Sequence, residues 1–252
     1  EGIQKKFSHK TYIYFSYINN ASWVGLDERE EFTAASTLKV PVAMALFKAV
    51  EEEKLDLSQK YSLQELDLDA GFGDLYKVGA DAEFTVGELV RIMLEKSDNT
   101  ALGALRQVFH NIGIDNPLEG VYGFLGWEFT QVIPEMGEVP DYSKINLKTL
   151  SNLFTALYDA KYINVEHSNL ILSYLAQTKF NERIAAGVPE GIVVSHKIGT
   201  SVGDDSYSDC GIVYAPNRHY LLCLGSVGAS EPEADRFMEE ASRTVYDYVI
   251  QN

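Results

Sequence analysis

Ala34-Ala35-Ser36-Thr37-Leu38-Lys39-Val40-Pro41-Val42-Ala43-Met44-Ala45-Leu46-Phe47 begins as a polar loop and becomes an apolar helix, and the chain is organised around that junction. Pro41 has no N–H to give the carbonyl of Thr37, so the first turn should be kinked or 3₁₀-like. Ser36 and Lys39 stand three apart, a spacing that puts both side chains on one face of a helical turn. A serine hydroxyl becomes a nucleophile when a base takes its proton, and a lysine amine serves once burial or a nearby cation makes its neutral form accessible. The helix start adds N–H groups that favour developing negative charge. The same pair also reads as a capping serine beside a solvated lysine; the two residues alone do not choose.

Working outward, residues 11–18 are aromatic and β-branched and read as a strand, Asn19-Asn20 as a turn, and Ser22-Trp23-Val24-Gly25 as the start of a second strand. The helix after Ser36 is expected to run to about Glu53. Residues 55–82 read as loop; their aspartates resemble a calcium loop, but Val78 stands where the closing carboxylate belongs, so calcium is rejected. Thr85-Val86-Gly87-Glu88 is a capping box that opens a helix to about Lys96, and Ser97-Asp98-Asn99 links it to the next helix as a cap. Residues 112–146 read as irregular. Helices are expected over 147–157 and 167–178. From about residue 191 the period becomes strand-like, a hairpin turns at residues 215–218, and the capping box Ser230–Glu233 opens a last helix to about 250.

Strands at both ends with helices between them predict an α/β (α+β) fold: one antiparallel sheet flanked by helices, with an inserted all-helical lobe. We expect a single domain over 1–252, with a sheet lobe at about 1–35 and 188–252 and a helical lobe at about 36–187.

With 252 residues, 46% of them hydrophobic, the chain can bury a sizeable core. Its formal charge of −16 argues against nucleic acid and anionic membranes. It has no apolar run long enough to span a bilayer. It opens at Glu1 rather than at methionine, which leads us to expect a removed export segment. Two cysteines, Cys210 and Cys223, are too few for a cysteine-rich zinc site. They flank the hairpin, yet Pro216 disfavours the tight turns that would set them opposite each other, and free buried thiols are the expectation.

Gly199-Thr200-Ser201-Val202-Gly203 has the spacing of a nucleophile elbow, but residues 204–209 read as a turn into a strand, not the helix an elbow requires. Three other elements converge: Ser36-Thr37-Leu38-Lys39, Ser97-Asp98-Asn99 and Lys197-Ile198-Gly199-Thr200. In this order the chain resembles the serine penicillin-recognising enzymes, the class A β-lactamases and their penicillin-binding relatives, and the likeness spans nearly the whole chain.

The resemblance implies that Ser36 attacks a lactam or peptide carbonyl and that Lys39 takes its proton. Ser97, helped by Lys197, would relay a proton to the leaving nitrogen. Asn99 would bind the substrate's acylamido group, Gly199 and Thr200 would line the substrate strand, and the N–H groups of Ser36 and Thr200 would form the oxyanion hole. No metal and no cofactor is implied. The partner is a small β-lactam or a D-Ala-D-Ala-type peptide, and an exported, extracytoplasmic monomer is expected.

Two departures stand out. Ile198 replaces a threonine whose hydroxyl helps hold the substrate carboxylate, a role Thr200 would take over. Residues 125–132 look like the lead-in to the loop that carries the deacylating glutamate, but Ile133-Pro134-Glu135-Met136-Gly137-Glu138 lacks the Leu-Asn partner of that pattern. Glu135 is the nearest candidate base and Glu138 the next, against the plainer reading of solvated carboxylates. The expectation is a β-lactamase with slow deacylation. A D,D-peptidase-like enzyme and a binding or sensor domain without turnover stand as alternatives.

Overall fold

The computed structural model describes residues 2, 6–20, 22–125 and 143–251. The candidate bases Glu135 and Glu138 lie outside the described residues. In chain order the strands are β1 (Lys10–Tyr17), β2 (Trp23–Leu26), β3 (Phe32–Thr33), β4 (Lys60–Ser62), β5 (Glu83–Thr85), β6 (Lys144–Ile145), β7 (Val194–Ser201), β8 (Ser206–Val213) and β9 (Tyr220–Val227). The helices are α1 (Lys39–Glu51), α2 (Val86–Glu95), α3 (Asn99–Asn111), α4 (Pro117–Phe124), α5 (Leu147–Tyr158), α6 (Val165–Ala176) and α7 (Glu231–Gln251).

The chain divides into two compact units. One holds Glu1–Leu38 and Phe180–Asn252 with residues 143–155; the other holds Lys39–Leu125 and Ala156–Lys179. The helical unit thus begins at Lys39, and residues 143–155 group with the sheet, where the sequence had placed them in the helical lobe. Their β6 pairs with β3 of the sheet unit, Phe32 opposite Ile145, which accounts for the difference.

The sheet unit is built on a five-stranded antiparallel sheet in the order β2-β1-β9-β8-β7. Both chain ends supply strands because β1 pairs with β9 along its whole length. Helix α7 packs on this sheet, and Phe237, Met238 and Ala241 join Phe15, Tyr207, Leu222 and Leu224 in one buried cluster. Burying each such aliphatic or aromatic side chain contributes roughly 1.5–3 kcal/mol. Strand β8 is buried at every position, as a central strand covered on both faces must be.

One register result corrects the sequence reading. Cys210 lies directly opposite Cys223, and the two are joined in a disulfide; among the described residues no cysteine is free. The hairpin is not a tight two-residue turn, for residues 214–219 separate the strands. Within them the Arg218 N–H bonds the Ala215 carbonyl, with Pro216 and left-handed Asn217 (φ 61°) at the corner. Proline then asparagine suits that turn, so Pro216 sets the register that it seemed to oppose.

The helical unit packs α1 against α4, and α2 against α3 and α6. Its boundaries follow local chemistry. Thr85 and Glu88 form the expected capping box of α2. Asn164 caps α6, which begins at Val165, two residues before the expected start. Two regions read as irregular carry structure. Strands β4 and β5 pair within 60–85, and α4 begins with Pro117 in its first turn. Gly120 and Gly123 mask α4 in the sequence, while burial of Leu118, Val121 and Tyr122 forms it. No described helix is long and apolar enough to cross a membrane.

Candidate active site

The candidate residues fall into two groups: Ser36, Lys197, Gly199 and Thr200 in the sheet unit, and Lys39, Ser97 and Asn99 in the helical unit. Ser36 lies on a 3₁₀ turn, Ala35–Leu38, that runs into α1, the form expected from Pro41. Backbone and side-chain bonds hold this turn. Thr37 Oγ1 donates to the Ala34 carbonyl at 2.6 Å, the Thr37 N–H bonds the same oxygen, and the Ala34 N–H bonds the Ser143 carbonyl. Ala35 is left-handed (φ 46°), a conformation a residue with a Cβ adopts only at a cost, immediately before the candidate nucleophile.

The turn packs on β7. Gly199 makes this approach possible, since a Cβ there would stand 2.9 Å from the Ala34 carbonyl, 3.0 Å from Thr37 Cγ2 and 2.7 Å from Ser208 Oγ. Two of these neighbours belong to the turn that carries Ser36. We therefore expect Gly199→Ala to destabilise the fold by about 1–3 kcal/mol through overpacking and to slow any reaction at Ser36. Thermal melts and acylation rates check both effects.

In the helical unit the structure brings Lys39, Ser97 and Asn99 together. The Lys39 ammonium, 1% exposed, donates to the Ser97 carbonyl at 2.5 Å, to Ser97 Oγ at 3.2 Å and to Asn99 Oδ1 at 2.9 Å. Desolvation, only partly opposed by the Asp98 and Asp69 carboxylates, lowers its pKa to about 8. About a tenth of such an amine is neutral at pH 7. When it gives up a proton, the Ser97 hydroxyl can reverse its bond and donate to the free lone pair. Ser97 is itself left-handed (φ 54°), ahead of the Asp98 N-cap of α3. Asp98 Oδ1 accepts from the Ala101 N–H, and Oδ2 accepts from those of Asp74 and Leu75. The capping reading of this tripeptide therefore holds for Asp98, which frees Ser97 and Asn99 to face Lys39. Gly73 (φ 97°) has to be glycine here, because a Cβ would fall 2.1 Å from Asp98 Oδ2 and 2.8 Å from Asp98 Cα.

The third element lies on β7. Lys197 is buried, with its ammonium 3.0 Å from the Ile198 carbonyl and over the Phe180 ring. Ser201 closes the strand and a 3₁₀ turn comes next, so the elbow reading fails for want of a helix.

The profile of the beta-lactamase enzyme family matches residues 1–249. This chain belongs to that family. The chain is accordingly an enzyme of the serine β-lactamase-like hydrolase class. Beta-lactamase SME-1 of Serratia marcescens is 23% identical over 258 residues, covering 96% of this chain and 84% of its own length. Among solved structures, PBP-A matches with a TM-score of 0.86 at 21% identity, over 100% of this chain and 95% of that one. A PBP-A mutant solved as its acyl-enzyme complex with penicillin G gives 0.86 at 22% identity, over 99% and 94%.

Sequence reasoning missed one residue of this beta-lactamase-family chain, Arg183. Its guanidinium is buried behind β7 and donates to the Gly199 carbonyl (3.0 Å), the Ser208 carbonyl (2.9 Å) and Thr200 Oγ1 (2.9 Å), with Asp235 at 2.7 Å and Glu231 at 3.3 Å. Because Thr200 Oγ1 accepts from Arg183, its own hydroxyl proton is directed elsewhere. No motif flags Arg183; the only sign in the sequence is a charged residue directly ahead of the apolar stretch 184–188.

Proposed function

We propose that this enzyme is acylated by β-lactams at Ser36 and that the resulting ester clears slowly. The observation that carries this reading is Lys39: a buried amine with a pKa lowered to about 8, bonded to Ser97 and Asn99. Ser36 Oγ attacks the lactam carbonyl as Lys39 takes its proton. The C–N bond breaks as the nitrogen receives a proton through Ser97, with Lys197 stabilising the charge that moves. The N–H groups of Ser36 and Thr200 hold the oxyanion, worth about 3–4 kcal/mol per donor. Asn99, with Oδ1 committed to Lys39, has its amide N–H groups left to donate to an acylamido carbonyl. The Thr200 hydroxyl, oriented by Arg183, takes the carboxylate contact that Ile198 cannot make.

Deacylation requires a water and a base within hydrogen-bonding reach of the ester carbonyl. Pro134 and Gly137 bracket Glu135 without the Leu-Asn brace of the class A pattern, and a misplacement of about 1 Å can cost 10²-fold. Intact mass after addition of a penicillin should therefore show one adduct that forms readily and persists, with Glu135→Gln trapping it further. Rapid turnover by the wild type would overturn slow deacylation, and no adduct with no turnover would overturn acyl transfer. The same missing brace favours a second reading, a D,D-peptidase-like enzyme, which release of D-alanine from a D-Ala-D-Ala peptide would reveal. We place the protein outside the cytoplasm, a reading supported by the Cys210–Cys223 disulfide.

A further inference from the structure

Among the described residues strand β7 is an edge of the sheet, hydrogen-bonded to a neighbour, β8, on one side. An edge strand that carries reacting groups needs another means of being held, because sub-ångström placement decides their effect. The structure supplies it through residues 180–184.

His196, 2% exposed, has Nε2 3.1 Å from the Phe180 carbonyl and Nδ1 2.9 Å from both carboxylate oxygens of Asp209. Asp209 is fully buried, and its Oδ2 also accepts from the Ile184 N–H at 3.1 Å. Opposite His196 in the register stands Gly211, where a Cβ would lie 2.4 Å from His196 Cβ. Room is thus kept for the ring. In the same segment, Arg183 bonds the carbonyls of Gly199 and Ser208 and is met by Asp235 and Glu231 of α7. Lys197 is the next residue of β7 and points to the opposite face.

A carbonyl oxygen only accepts, so Nε2 must carry a hydrogen. A neutral imidazole then has none for Nδ1, which faces a carboxylate. The network closes when the ring carries hydrogen on both nitrogens, one for the Phe180 carbonyl and one for Asp209, whose Oδ2 also accepts from the Ile184 N–H.

We propose that His196 and Asp209 are a positioning pair, holding one proton more than a neutral imidazole beside a carboxylate, that ties edge strand β7 to residues 180–184 and so fixes Lys197, Gly199 and Thr200. The inference rests on the acyl-transfer reading above for its functional consequence, though not for the tie itself. It makes a distinctive demand on substitution. In Asp209→Asn, amide Nδ2 can donate to Nδ1 while Oδ1 accepts from Ile184, so a neutral ring closes the network without the additional proton. Asp209→Ala leaves both donors unmet.

The test combines ring ¹⁵N–¹H spectra, amide hydrogen exchange and penicillin labelling. We expect two ring N–H signals for His196 in the wild type and one in Asp209→Asn. We expect exchange of the β7 amides and acylation at Ser36 to stay within about threefold of wild type in Asp209→Asn, and each to change at least about tenfold in Asp209→Ala. A single ring N–H in the wild type, or unchanged β7 exchange in Asp209→Ala, overturns the proposal whatever penicillin does. Should Asp209→Ala fail to fold, the wild-type signal count and the Asp209→Asn exchange rates decide. A wild type that penicillin does not label would sink the acyl-transfer reading, while the spectra and exchange still judge the pair.

Discussion

Ser36→Ala should abolish covalent labelling by penicillin while leaving the melting temperature within a few degrees of wild type. The turn that carries Ser36 is anchored by Thr37 and Ala34, with Thr37 bonding Ala34 through both its hydroxyl and its N–H. Removing the Ser36 hydroxyl leaves those anchors and adds no volume, so the fold should hardly register the change. The chemistry registers it fully, since the turn's other hydroxyl, that of Thr37, is buried and donates to the Ala34 carbonyl. Intact mass after incubation with a penicillin is the direct measurement. An alanine variant that still gained one penicillin would move the nucleophile elsewhere. Ser201 would be the first suspect, although its Oγ donates to Asp204 at 2.8 Å and the elbow geometry around it is absent.

Lys39→Ala should slow acylation at least ~10²-fold, the typical cost of losing a general base. In the wild type the acylation rate should rise with pH through about 8, as the buried ammonium gives up its proton and the amine becomes competent. That limb should vanish in Lys39→Ala. It should vanish equally in Lys39→Arg, which keeps the charge but cannot deprotonate in this range. The truncation also strips the Ser97 carbonyl and Asn99 Oδ1 of a buried donor, so some stability is lost with it. The vanished pH limb separates the two effects, because a merely weakened fold would scale the profile without flattening it. A wild-type rate independent of pH between about 6 and 9 would count against Lys39 as the base.

The motif residues were legible in the sequence because each announces a local structure. Pro41 foretold the 3₁₀ turn under Ser36, and the Thr85–Glu88 and Ser230–Glu233 boxes marked helix starts that the hydrogen bonds reproduce. The sheet, drawn from both termini, was readable from where β-branched residues cluster. What escaped was set by distant contacts. Helix α4 exists because burial overrides two glycines, and β4 and β5 are too short to show a period. Arg183 lies on a segment with no pattern of its own, and the His196–Asp209 pair, although on strands whose period is readable, acquires meaning only when residues 180–184 cross behind β7. The disulfide depended on whether 214–219 keeps register, which Pro216 alone could not reveal.

The sheet order has a consequence for how the protein is made. Strand β9 sits between β1 and β8, so β1 finds its long partner only after residue 227 has left the ribosome. Until then β1 and β2 form a two-stranded ribbon too small to be stable alone. The helical unit, most of it continuous in sequence from Lys39 to Leu125, can condense first, since its contacts close over short loops. A chain truncated before β9 therefore keeps apolar β1 without a partner, including Tyr12, Tyr14 and Phe15, which the finished sheet buries. Such a fragment is a candidate for aggregation and for capture by chaperones, so the C-terminal quarter acts as the step that commits the whole sheet unit to its native pairing.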